Sequence, residues 1–220
     1  MLRIGKTIFG LLALTILLGS CWSKKNDLGH DIPTKIACRF TEGYLTEPGI
    51  GSINVAPSAF ASSSSDPLVK LLGSDEYGTF FPLQGSTPLK LKKGVWYKME
   101  IFLFDAEDKR INLQFLEPDQ IEKHQFFFNL MSKNSVVPKG ISYYYSDFID
   151  GQLLETPVGF TGYIRVNEDL EDTDLRLMLV HLKKGDKYEA DGKPNPFDKP
   201  SPRVLEFGDL TAYLPFQIDK

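Results

Sequence analysis

Three features of the 220-residue sequence predict an all-β fold. Apolar residues recur at every second position in most segments, Gly and Pro punctuate the chain at short intervals, and no long stretch carries a helical period. The architecture expected is a single β-sandwich, Ig-like or related, with a β-barrel as the alternative. Residues 34–220 form that domain.

Ahead of it lies a leader. Arg3 and Lys6 precede an apolar run from Thr7 to Leu18. This run is shorter than the roughly 20 residues a membrane helix needs, so residues 1–20 read as a secretory signal peptide. Its end, Leu18-Gly19-Ser20-Cys21, resembles the bacterial lipobox. That resemblance implies cleavage before Cys21, lipidation of its thiol and a lipid bilayer as partner; more than one acyl chain makes such an anchor stable. Trp22 stands where an inner-membrane retention signal would place Asp, which implies an outer-membrane location, periplasmic or surface face undecided. Residues 21–33, His30 among them, are polar and unpatterned and read as a flexible tether.

Within the domain, Val95 to Phe104 alternates and then becomes apolar on both faces, the pattern of a strand that enters a core. The polar turn Asp105–Arg110 leads to Ile111, Leu113 and Phe115, alternating with Asn112 and Gln114, which predicts the second arm of a hairpin. Further strands are expected over Ile121–Asn129, Ile141–Tyr145, Phe160–Val166, Leu175–His181 and Leu210–Ile218. Pro215 cannot donate to a ladder, which puts the last of these at a sheet edge. Pro57–Lys93 reads as a long Ser-rich loop with one short helix over Asp66–Leu72, Asp66 as N-cap and Pro67 in the first turn. Lys183–Arg203, with prolines at 194, 196, 200 and 202, reads as a stiffened hairpin loop.

Composition narrows the function classes. The chain carries 25 Lys and Arg against 29 Asp and Glu, and the leader removes two of the basic residues, so the remainder is at −6 instead of −4. Such a balance argues against a nucleic-acid partner. The only cysteines are Cys21 and Cys38. With Cys21 lipidated, Cys38 has no partner for a disulfide and reads as a small buried hydrophobe.

Histidines are His30, His124 and His181 alone, and no nucleophile elbow, zinc-protease helix or phosphate loop is present, so a non-enzymatic protein is expected. The order Phe40–Leu45, His124-Gln125-Phe126-Phe127-Phe128, Pro157–Tyr163, then His181 resembles a group of uncharacterised Bacteroidota lipoproteins with Gly-His-Leu-His-Gly and His-Gln-His-Phe-Phe motifs. Alternate residues of a strand share a face, so a His-x-His pair can hold one metal. Here Tyr44, Thr46 and Phe126 stand where the resemblance implies histidines. His124 and His181 remain, and Asp147 is a candidate carboxylate, giving a three-ligand divalent metal site if the fold gathers them. Haem is the other cofactor considered, with Tyr144 or Tyr145 as a possible iron ligand. The acidic run Asn167–Asp174 lacks a calcium-loop order and reads as a solvated turn. The function expected is a lipid-anchored binding or accessory protein that assists an outer-membrane uptake system through an outer-membrane protein partner. The alternative is a structural surface protein, an adhesin or fimbrial accessory.

Overall fold

A computed structural model describes residues 30–133, 135–168, 173–183, 186–199 and 208–218. The leader, Cys21 and most of the tether lie outside the described residues, as do Asp169 to Asp172 of the acidic run.

The fold is all-β. One mixed sheet curls into a half-barrel, intermediate between the sandwich and the barrel foreseen. In chain order the strands are β1 (Lys35–Leu45), β2 (Phe60–Ser62), β3 (Leu68–Ser74), β4 (Thr79–Pro82), β5 (Leu89–Leu91), β6 (Trp96–Phe104) and β7 (His124–Ser132). They continue with β8 (Ser135–Val136), β9 (Ile141–Tyr145), β10 (Phe148–Ile149), β11 (Gln152–Leu153), β12 (Thr161–Val166), β13 (Thr173–His181) and β14 (Gly208–Ile218). The spatial order of the main sheet is β8-β7-β13-β14-β4-β3-β1-β6-β12-β9, with β2 beside β1 and β5 beside β14; β10 and β11 form a separate hairpin.

The core lies inside the curl. Ile36, Met99, Ile101, Phe126, Phe128 and Leu177 are among its fully buried residues, all on inward phases of their strands. β6 shows the expected alternation, whereas β7 is buried on both faces because Phe127 packs outward against Met178, Val180 and Leu182.

Four local expectations are corrected. The stretch read as a helix at Asp66–Leu72 holds β3, whose backbone pairs with β1 from Leu68↔Phe40 to Gly73↔Lys35. The ladder overrides the capping signals, and with β2, β4 and β5 it turns nearly half of the expected Pro57–Lys93 loop into sheet. The arm expected at Ile111–Phe115 is a 3₁₀ turn over Asn112–Leu116. Its cause is Asn112, which turns inward and uses its amide as a strand would, accepting from Leu103 N–H at 2.9 Å and donating to Ile101 C=O at 2.7 Å. Leu113 is consequently 76% exposed. Finally, β14 is an interior strand, flanked by β13 on one side and by β4 and β5 on the other. Pro215 is tolerated because β4 pairs with Thr211 and Ala212 and β5 begins at Phe216, so no partner faces the proline on that side.

Candidate metal centre

β7 and β13 run antiparallel in a register that sets His124 directly opposite His181. Leu175, Leu177 and Leu179 put His181 at the end of an inward-facing row, and Phe126, Phe128 and Leu130 do the same for His124. The two imidazoles expected from the sequence therefore meet, with ring centroids 4.6 Å apart.

Two residues that sequence reading missed complete the group. Asp209 precedes the inward residue Leu210 and by strict alternation would point outward. The β13–β14 register shifts between Leu179↔Leu210 and Val180↔Gly208, which leaves Asp209 as the extra residue of a β-bulge. A bulge re-aims a side chain, and this one turns the carboxylate towards the histidines. The fourth member is His30. Placed by the sequence in the flexible tether, it is instead buried at 8% exposure, its ring 4.2 Å from that of Phe115. The next residue is fastened to the 3₁₀ turn: Asp31 N–H donates to Gln114 Oε1 at 2.6 Å, and Gln114 Nε2 donates to Asp31 Oδ2 at 2.7 Å.

One donor atom from each of His30, His124, His181 and Asp209 lies within 4.8 Å of every other, so the cluster could hold a metal ion. His124 Nδ1 lies 2.9 Å from Gln120 C=O, and His30 Nδ1 lies 3.0 Å from Asp31 C=O. A carbonyl only accepts, so both Nδ1 atoms carry a proton, and in the neutral rings both Nε2 atoms present lone pairs. Those two Nε2 atoms face each other at 3.2 Å. Asp209 Oδ2 is 3.3 Å from His124 Nε2 and 3.8 Å from His181 Nδ1. Asp209 Oδ2 and His181 Nδ1 are nevertheless buried atoms with no hydrogen-bond partner.

Facing lone pairs and an unpartnered carboxylate oxygen repel one another unless a cation lies between them. A tetrahedral ion with donors at about 2.1 Å separates those donors by about 3.4 Å, close to the shorter contacts here. Burial pushes the pKa of His30 down, and the neighbouring His124 adds to that. Burial lowers His181 as well, again with help from His124. A neutral imidazole is the form that ligates metal. Donation of the second ring N–H to a carbonyl, as in His30 and His124, is the outer-shell arrangement of metal-bound histidines. Phe115 seals the inner side, while the His181 side chain keeps 27% exposure and forms the solvent side.

Asp147 does not join this group. Its Oδ2 accepts from Gly159 N–H at 2.5 Å and its Oδ1 from Thr161 N–H at 2.9 Å, which fixes the entry to β12. Burial raises its pKa, opposed by those amides and by Lys187. Lys187 is 2% exposed and donates to the carbonyls of Ile121, Thr156 and Pro157. Tyr145 is committed too, donating to Phe126 C=O at 2.6 Å and accepting from Gln125 at 3.0 Å, while Tyr144 packs against Trp96. Of the positions where the lipoprotein resemblance implies histidines, Phe126 is wholly buried next along the inner face from His124, whereas Tyr44 is 75% exposed. Cys38 is buried on β1, its thiol pushed up to about 12 by desolvation.

No family model matches the sequence, and no curated protein or solved structure matches it.

Proposed function

We propose that this protein is a non-enzymatic metal-binding module, carried on a lipid anchor at Cys21 in the outer membrane, that holds one divalent transition-metal ion between His30, His124, His181 and Asp209. The observation that carries the reading is the pair of Nε2 atoms opposed at 3.2 Å with their own Nδ1 protons engaged elsewhere. Three imidazoles and a carboxylate suit zinc and its first-row neighbours, which accept mixed nitrogen and oxygen donors. Four protein donors fill a tetrahedral shell, which favours holding an ion over activating a water. Convergence of the donors within 4.8 Å leaves no room for a porphyrin plane, which counts against haem. An ion handed to or from an uptake protein would enter past His181, the most exposed member.

The test is metal analysis of the purified chain, together with thermal unfolding in chelator and then in Zn²⁺, Mn²⁺, Fe²⁺, Ni²⁺ and Cu²⁺. One equivalent of bound metal and an upward shift that His124→Ala abolishes are expected. A flat panel with no bound metal would overturn the reading.

A further inference from the structure

The sheet ends at β9, and the hydrogen bonds on its outer side can be assigned residue by residue. Tyr145 N–H donates to Ile53 C=O at 2.8 Å, and Val55 N–H donates to Tyr145 C=O at 2.9 Å. Tyr145 therefore bonds away from β12. Inter-strand bonding in an antiparallel pair alternates residue by residue, so Ser142 and Tyr144 bond to β12, and Ile141 and Tyr143 point their N–H and C=O outward as Tyr145 does. Bonds on either side of β9 agree: Ser146 N–H reaches Thr161 C=O, and Asn167 N–H reaches Gly140 C=O.

At Tyr145 the outward groups are covered by residues 53–55, which form a parallel bridge through Asn54. Beyond it the covering segment turns away, closed by Ser52 N–H to Gly49 C=O. Among the described residues nothing pairs with the outward groups of Ile141 and Tyr143. The opposite sheet edge is treated differently: the backbones of Val158, Phe197 and Val137 take up groups of Phe126, Phe128 and Leu130 on β7.

Ile141 and Tyr143 are only 6% and 3% exposed, and unpaired backbone groups are costly in such a place. They line a cleft of about 620 Å³ whose far wall is Pro194, Pro196 and Phe197. Its charged members, Lys139 and Lys193 against Glu189 and Asp198, balance, so no ionic ligand is favoured. What the cleft offers is a short row of donors and acceptors at strand spacing, opposite an apolar wall. Its natural complement is another strand.

We infer that this cleft is a docking site for an extended polypeptide segment of a partner protein, which adds to β9 beyond residues 53–55 and pairs with Ile141 and Tyr143. Recognition runs through the backbone, and alternate side chains of the guest lie against Pro194 and Phe197. The inference is independent of the metal centre.

Amide hydrogen exchange on the full chain tests it, with a capped octapeptide of alternating threonine and valine as the probe. In the protein alone, the Ile141 and Tyr143 amides should exchange faster than those of Ser142 and Tyr144. Millimolar probe should slow Ile141 and Tyr143 at least tenfold and leave Ser142 and Tyr144 unchanged. The same peptide methylated on its four central nitrogens should have no effect. Ile141→Pro removes one outward N–H without touching the β12 ladder, so it should fold and lose the probe response. No slowing with the probe, or equal slowing with the methylated peptide, would overturn the inference. It would also be overturned if Ile141 and Tyr143 were already as protected as Ser142 and Tyr144 in the protein alone, since the edge would then be covered by this chain or a second copy.

Discussion

Two groups of buried ionisable side chains among the described residues are built on opposite rules. Around Asp147 and Lys187 every charged atom meets a backbone partner: two amides take the carboxylate, and three carbonyls take the ammonium. Around His30, His124, His181 and Asp209 the backbone takes only the far nitrogens of two rings, and the remaining donor atoms are turned on one another. A perturbed titration does not separate the two, since Lys187, pushed down to about 8 by burial, is structural. Unsatisfied atoms aimed at a common point do separate them.

The sharpest way to break this contrast is to remove one member of each group and follow the metal. His124→Ala deletes the donor that touches both His30 and Asp209, and it should lower metal affinity at least a hundredfold. Bound metal at a thousand times its Kd stabilises a protein by about 4 kcal/mol, so the variant should also lose that increment in thermal unfolding. Asp147→Ala should keep one equivalent of metal. It should lose about 2–5 kcal/mol of stability in denaturant, because two buried amides are left without an acceptor. Metal loss in Asp147→Ala with normal folding would dissolve the distinction between the groups.

The parts of the centre legible in the sequence are those that obey strict alternation. Rows such as Leu175-Leu177-Leu179-His181 place a histidine on the core face, and strand pairing does the rest. Asp209 violates that parity through a bulge, and a bulge is fixed by how β13 and β14 meet, which neither strand reveals alone. His30 was hidden for another reason. A single imidazole in a polar run has no period to betray it, and it is held by Gln114, 83 residues away from Asp31 in sequence. Asn112 misled in the same manner, alternating like a strand residue while its side chain supplied the bonds that a strand backbone would have made.

Lys187 sharpens the comparison through pH. Its folded pKa, about 8, lies below the unfolded value of 10.5. Below pH 8 both states are protonated, and the folded state bears the full cost of the buried charge. Between pH 8 and 10.5 the unfolded state binds more protons, so stability rises with pH, by about 3 kcal/mol in all. The measurement is the difference in denaturation free energy between the wild type and Lys187→Met across that window. The variant should lack this component, and an identical pH dependence in the two proteins would show that the ammonium is not held as described.

The same substitution in each group gives the smallest but most discriminating effect. Asp209 Oδ2 has no hydrogen-bond partner, so in chelator Asp209→Asn should change stability by less than about 1 kcal/mol, and removal of a repelled charge pushes towards a gain. An amide oxygen is a weaker ligand than a carboxylate, so metal affinity should fall about tenfold. Asp147→Asn should do the reverse, leaving affinity intact while weakening the charge-assisted bonds to Gly159 and Thr161. If Asp209→Asn in chelator proved as damaging as Asp147→Asn, the bulge carboxylate would be a structural group, and the ligand set would reduce to the three histidines.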